Sequence, residues 1–233
     1  MGEQADSGDR GTPAQALPRR RNPWLFRLGV SLVAVSIGLF GWVGWQFFGT
    51  NYVSAQKHEA IVGAVTREWA AGGTSVEAEG SEVMSVVRIP RFGRRYAVPL
   101  LEGTTPRLLA AGFGHFESSA APGGTGNFAM AAHRVTHGEP LRGMPELRPG
   151  DEIVIETGAA TYTYVLDTAG DALSVDFSES WVLEPFPVNP TGGVQPPAGV
   201  GQRLITIATC AELFHTDNRL VAFGHLEKVE PRD

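Results

Sequence analysis

The sequence predicts a mainly β protein, a closed barrel of short strands with few helices, preceded by one membrane-spanning helix. Three observations carry this. From Val83 to Phe223, short apolar and β-branched runs alternate with Gly, Pro, Asp and Asn turn signals at close spacing. Helical spacing is confined to one stretch before residue 70 and to brief pieces after it. Leu28 to Phe48 carries no charge, which is about the 20 residues a helix needs to cross a bilayer core.

Met1 to Pro18 is rich in Gly, Ala, Gln and Asp and is expected to be disordered. The basic flank Arg19-Arg20-Arg21 and Arg27 then precedes the apolar run, so residues 1–27 form a cytoplasmic tail and 28–48 the span. Trp24 at one end and Trp42, Trp45 and Tyr52 near the other suit the two interfaces, and the positive-inside rule sends the rest of the chain outside the cell. A cleaved signal peptide ending near Val53-Ser54-Ala55 is the alternative, but signal apolar regions are typically about 7–15 residues, shorter than this one. Val53, Ile61, Val65 and Trp69 have helical spacing, and Ala71 to Ser75 reads as a linker. Residues 49–81 are thus a juxtamembrane helix and linker that hold the domain 82–233 off the membrane.

Within that domain, Met84 to Pro90 and Tyr96 to Leu100 are strand candidates bounded by prolines. Thr105 and Pro106 mark a helix start that ends by Phe113-Gly114-His115-Phe116. Phe128 to Ala132 is a strand ending at His133, followed by a loop with a short helix around Leu141 to Leu147. Ile153-Val154-Ile155 and Tyr162 to Leu166 read as a hairpin. Asp176 to Gly201, rich in Pro and Gly with Trp181 and Phe186, is too long for a spacer and reads as a lid or substrate wall. Two strands close the chain, Leu204 to Cys210 and Arg219 to Phe223.

Composition narrows the chemistry. With the tail and the span set aside, roughly 150 of the 233 residues remain, enough for one cored domain. The net charge of -6, with basic residues scattered through an acidic domain, excludes a nucleic-acid surface. The one cysteine, Cys210, forbids an internal disulfide and a Cys-rich zinc site. A free thiol outside the cell is a liability unless it is used. No HExxH pattern or carboxylate cluster stands out, so no metal or other cofactor is expected.

Cys210 ends a buried strand and opens onto the polar loop 211–218, where a buried structural cysteine sits less comfortably than in mid-strand. A lone Cys with a sequence-distant His is the arithmetic of a thiol nucleophile and its proton partner. Thr206-Ile207-Ala208-Thr209-Cys210 resembles the strand-end TLxTC motif of sortases, the Cys transpeptidases of Gram-positive cell surfaces. Ile207 and Ala208 stand where Leu and Thr are commoner. Ala132-His133-Arg134 is similar to the family's (G/A)HR segment, and Asn218-Arg219-Leu220 supplies its later Arg. The resemblance covers about residues 82 to 230, and Gly126-Asn127, Thr136 and Gly138 make it most like the actinobacterial class E branch.

The resemblance implies a sortase-type β-barrel of about eight strands and a division of labour. Cys210 would be the nucleophile, His133 the proton carrier and Arg219 the fixed cation at the oxyanion. Thr209 is a candidate hydrogen-bond donor to the oxyanion or substrate. His215, near Cys210 in sequence, is a rival base, while His58, His115 and His225 read as structural or surface. His137 makes poor metal geometry with His133. The implied partners are surface proteins bearing an LAxTG-like or LPxTG-like sorting signal, and an amine on a peptidoglycan precursor or pilin. Two alternatives stand beside this reading. One is a non-catalytic exported β-barrel with an inert thiol. The other is a Cys-based L,D-transpeptidase, whose Gly- and Ser-rich cysteine pattern is absent here.

Overall fold

The computed structural model describes residues 23–45, 49–74, 76–210 and 218–232, with the backbone alone at 50 and 210. The expectations for the tail, for its Arg19-Arg20-Arg21 cluster and for His215 lie outside the described residues. The chain divides into two units, Met1–Val43 and Gly44–Asp233. The first holds almost all of helix α1, Pro23–Gly44, which has no buried residue and is the one described helix long and apolar enough to cross a membrane. It begins before Leu28 because Pro23 suits a first helical turn, where its missing N–H costs nothing.

The second unit opens with α2, Thr50–Ala70. Its apolar spacing is the one read from sequence, but the helix is packed on the barrel and is not a free spacer. Ile61 and Val65 are buried with Val83, Val86, Leu101 and Leu108, each worth about 1.5–3 kcal/mol of burial. The expected linker is brief: β1 (Glu77–Ala78) already pairs with the next strand.

Eight strands then close the barrel. They are β2 (Ser81–Arg88), β3 (Val98–Glu102), β4 (Phe113–His115), β5 (Gly126–Ala131), β6 (Glu152–Glu156), β7 (Ala160–Leu166), β9 (Arg203–Cys210) and β10 (Asn218–Pro231). The order is β2-β3-β4-β5-β9-β10-β7-β6, and β6 returns to pair with β2. Closure leaves no barrel edge exposed. The interior is filled by Phe113, Phe128, Met130, Ile153, Tyr164 and Ile207.

Three strands escaped the sequence reading, the two-residue β1 among them. Phe113–His115, expected as the end of a helix, is β4, parallel to β3; the helix before it, α3 (Pro106–Leu109), is a single turn. Leu173–Asp176 is β8, which pairs with the first part of β10, while β7 takes the rest. The expected helix near Leu141 to Leu147 is a 3-10 turn, Met144–Glu146.

Candidate active site

Three neighbouring strands, β5, β9 and β10, end at one rim of the barrel. β5 and β9 run parallel, with Ala131 opposite Ala208 in the last registered pair. The Ala132 amide still donates to the Ala208 carbonyl at 3.2 Å. His133 and Cys210 each lie two residues further along their strands, so their backbones finish side by side. β10 runs back antiparallel and sets Arg219 directly opposite Cys210. Strand spacing of about 4.8 Å therefore lines up the three sequence-predicted residues across the rim, with Cys210 in the middle.

Each neighbour of Cys210 is held by its surroundings. The Leu141 amide donates to the His133 carbonyl at 3.0 Å. Thr209 is 2% exposed, and its hydroxyl donates to the Ala132 carbonyl at 2.7 Å. A hydroxyl has one proton to give. In this arrangement that proton goes to the residue before His133. Arg219 is half-buried; its guanidinium donates to the Asn218 carbonyl at 3.0 Å and lies 4.9 Å from the Phe177 ring centre. Asp176 sits below the usual carboxylate range because Ser178 hydrogen-bonds it from side chain and backbone, with the Arg219 charge adding to this.

His133 is half-buried, and its imidazole is pushed down to about 4, chiefly by loss of water and then by the charge of His137. It is therefore neutral at physiological pH. The two rings stack, with centres 4.7 Å apart and planes at 28°. Sequence reasoning weighed His137 only as a metal ligand and missed this contact. Among the described residues no group of three or more His, Cys, Asp or Glu side chains gathers to hold a metal.

The long loop after β8 is anchored to the same strands. Its 3-10 turn, Ser180–Leu183, buries Val182 against Ala208, Val221 and Phe223. Beneath it Thr206 donates to the Asn127 side-chain oxygen at 2.8 Å, and the Asn127 amide donates to the Val182 carbonyl at 3.0 Å. Asn127 is on β5 and Thr206 on β9, so one buried polar knot ties the loop to the strands that lead to His133 and Cys210. The loop expected as a lid or substrate wall is thus fixed to these strands at its centre. Phe177 and Phe186 stay exposed on either side of the turn.

Known proteins share this architecture. A family model described as the Sortase domain matches residues 87–227. Sortase SrtE1 of Streptomyces coelicolor is 29% identical over 213 residues, covering 88% of this chain but 58% of its own length. A solved sortase E from Streptomyces avermitilis is 35% identical with a TM-score of 0.54, covering 64% of this chain and 90% of that one. The crystal structure of sortase E1 from S. coelicolor with a tripeptide in the active site is 30% identical with a TM-score of 0.55, covering 67% and 94%. The match from 87 to 227 starts near the end of β2 and ends in β10, taking in most of the barrel and the rim that carries His133, Cys210 and Arg219; the chain belongs to the sortase family, and these likenesses place it with class E.

Proposed function

We propose that the protein is a membrane-anchored cysteine transpeptidase that cleaves a C-terminal LAxTG-like or LPxTG-like sorting signal between Thr and Gly. The observation that carries this is the row His133, Cys210, Arg219 at the ends of three adjacent strands. In the proposed reaction neutral His133 takes the Cys210 thiol proton as sulfur attacks the Thr carbonyl. The imidazolium then returns that proton to the departing glycine amine, leaving a thioester on Cys210. An incoming amine from a peptidoglycan precursor or a pilin gives its proton to His133, attacks the thioester and releases the thiol. Both tetrahedral intermediates place negative charge on the former carbonyl oxygen, where Arg219 offers a cation that does not titrate away.

The low basicity of His133 suits this cycle, since its resting form is the proton acceptor. The loop over Val182 would form a wall of the signal groove, and helix α1 would be the single-pass anchor, with the N-terminus cytoplasmic and the barrel outside. The test is mass spectrometry of the full chain in detergent with an LAxTG peptide and a glycine-based amine. A ligated product that disappears in Cys210→Ala supports the reading. A thiol that resists alkylation without denaturant, and never acylates with either signal, would favour a non-catalytic barrel.

A further inference from the structure

The turn after His133 is held by a segment far from it in sequence. His137, Gly138 and Glu139 occupy the left-handed region in succession, with φ of 55°, 82° and 51°. For the two non-glycine residues this costs about 1–2 kcal/mol each and persists only where the surroundings impose it. The surroundings are the first turns of α2. The Asn51 side-chain oxygen accepts from the Gly138 amide at 2.9 Å, and its NH2 donates to a Glu139 carboxylate oxygen at 2.7 Å. Ser54 and His58, on the same face of α2 as Asn51, close over Gly138. A Cβ on Gly138 would sit 2.8 Å from the His58 ring and 3.4 Å from the Ser54 Cβ. Ser54 is itself tied to the Ala110 carbonyl at 3.1 Å, and His58 is 5% exposed. The turn so formed lays the His137 ring on His133.

We propose that α2 is a working part of the active site: Asn51 pins the left-handed turn 137–139 so that His137 shields and orients His133, making Asn51 and His137 positioning residues. This rests on the reading of His133 as the proton carrier. The arrangement turns the segment that follows the membrane helix in sequence into a support for the catalytic histidine. After burial, the charge of Lys57, whose ammonium lies 2.7 Å from a Glu79 carboxylate oxygen, also holds His137 and His58 down.

The test uses the full chain in detergent and a swap of hydrogen-bond partners. N51D keeps the acceptor for the Gly138 amide but sets a carboxylate against Glu139. E139Q alone keeps an acceptor for Asn51 at the expense of the exposed Arg142 contact to Glu139, and N51D/E139Q restores a donor opposite an acceptor while leaving an oxygen for Arg142. For N51D kcat should fall about tenfold or more, in line with the cost of misplacing a catalytic group, with KM within about twofold. E139Q should stay near wild type, and the double variant should recover most of the loss. The His133 imidazole, followed by NMR, should titrate near 4 in the wild type and move toward its ordinary 6.5 in N51D. This readout needs no catalysis. N51D with wild-type kcat and an unmoved His133 titration overturns the proposal. So does a loss that tracks a lowered thermal midpoint and is not rescued by E139Q. If the wild type transfers nothing, the functional reading fails, and the NMR shift alone decides whether α2 holds His133.

Discussion

Replacing Asn127 with Ala should loosen the loop after β8 from the barrel at a cost that can be worked out from the bonds lost. Asn127 is 1% exposed and Thr206 is 0% exposed. Besides Asn127, the Thr206 hydroxyl has a second acceptor, the Val182 carbonyl at 3.2 Å. When the amide is removed, that one proton turns to Val182, so neither group is left bare. What disappears is two hydrogen bonds against one regained, a net loss of roughly 0.5–1.5 kcal/mol, plus the packing of a small side chain. The sum is about 1–2 kcal/mol. Thr206→Val is the sharper probe. It keeps the volume but strands the buried Asn127 oxygen, costing about 1–3 kcal/mol for a single lost bond. Urea unfolding of the full chain in detergent, fitted for midpoint and slope, reads both. Because the knot holds Val182 and not the rim itself, KM for the signal peptide should rise more than kcat falls. A cost below about 0.5 kcal/mol for both variants would refute the claim that this knot anchors the loop.

Other predictions follow from the same geometry. Arg219→Ala should lower kcat/KM about 100-fold or more and Arg219→Lys should recover little, since the donor fork is lost; full activity in either would remove Arg219 from the oxyanion site. Thr209→Val should lower kcat while Thr209→Ser stays near wild type, because only the first abandons the Ala132 carbonyl; equal behaviour of the two in steady-state kinetics would contradict this. Acid should destabilise the fold through its buried histidines. His58 is pushed down to about 4 by burial and then by the Lys57 charge. Above pH 6.5 both folded and unfolded chains hold it neutral. Between 6.5 and 4 only the unfolded chain gains the proton, so stability falls with pH across that window, by about 3 kcal/mol at most for His58. Thermal unfolding at pH 7 and pH 4.5 should show a smaller loss for His58→Leu than for the wild type; equal losses would contradict it.

What the sequence could reveal depended on where the determining contact lies. The strands that lead to His133, Cys210 and Arg219 were legible because β-branched runs and their turn-forming boundaries are local signals. The registers that align them follow from the parallel β5–β9 pairing, which no local pattern encodes. β4 has three residues, all buried, and so shows no alternation to separate it from a helix end. β8 alternates, but it exists as a strand because β10, 14 residues long, offers its first part to a second partner. The apolar face of α2 was visible as helical spacing, while the surface it covers was not. For the same reason Asn51 and His58 gave no sign of their contact with the turn after His133. His137 lies on His133 only because three left-handed residues fold the chain back, and of these only Gly138 is of a type that announces such a turn. Side chains alternate along a strand, so Thr209, next to Cys210 in sequence, turns its hydroxyl to the strand of His133, a contact that its place beside Cys210 does not announce.

The central claim is that Cys210 carries an acyl group from a sorting signal to an amine, and mass spectrometry reads it most directly. The full chain would be mixed with an LAxTG peptide, once without an acceptor to trap the thioester and once with a glycine-based amine. The account predicts an adduct on Cys210 in the first case and a ligated peptide in the second, both lost in Cys210→Ala. An adduct on another residue, or ligation that survives Cys210→Ala, would contradict it.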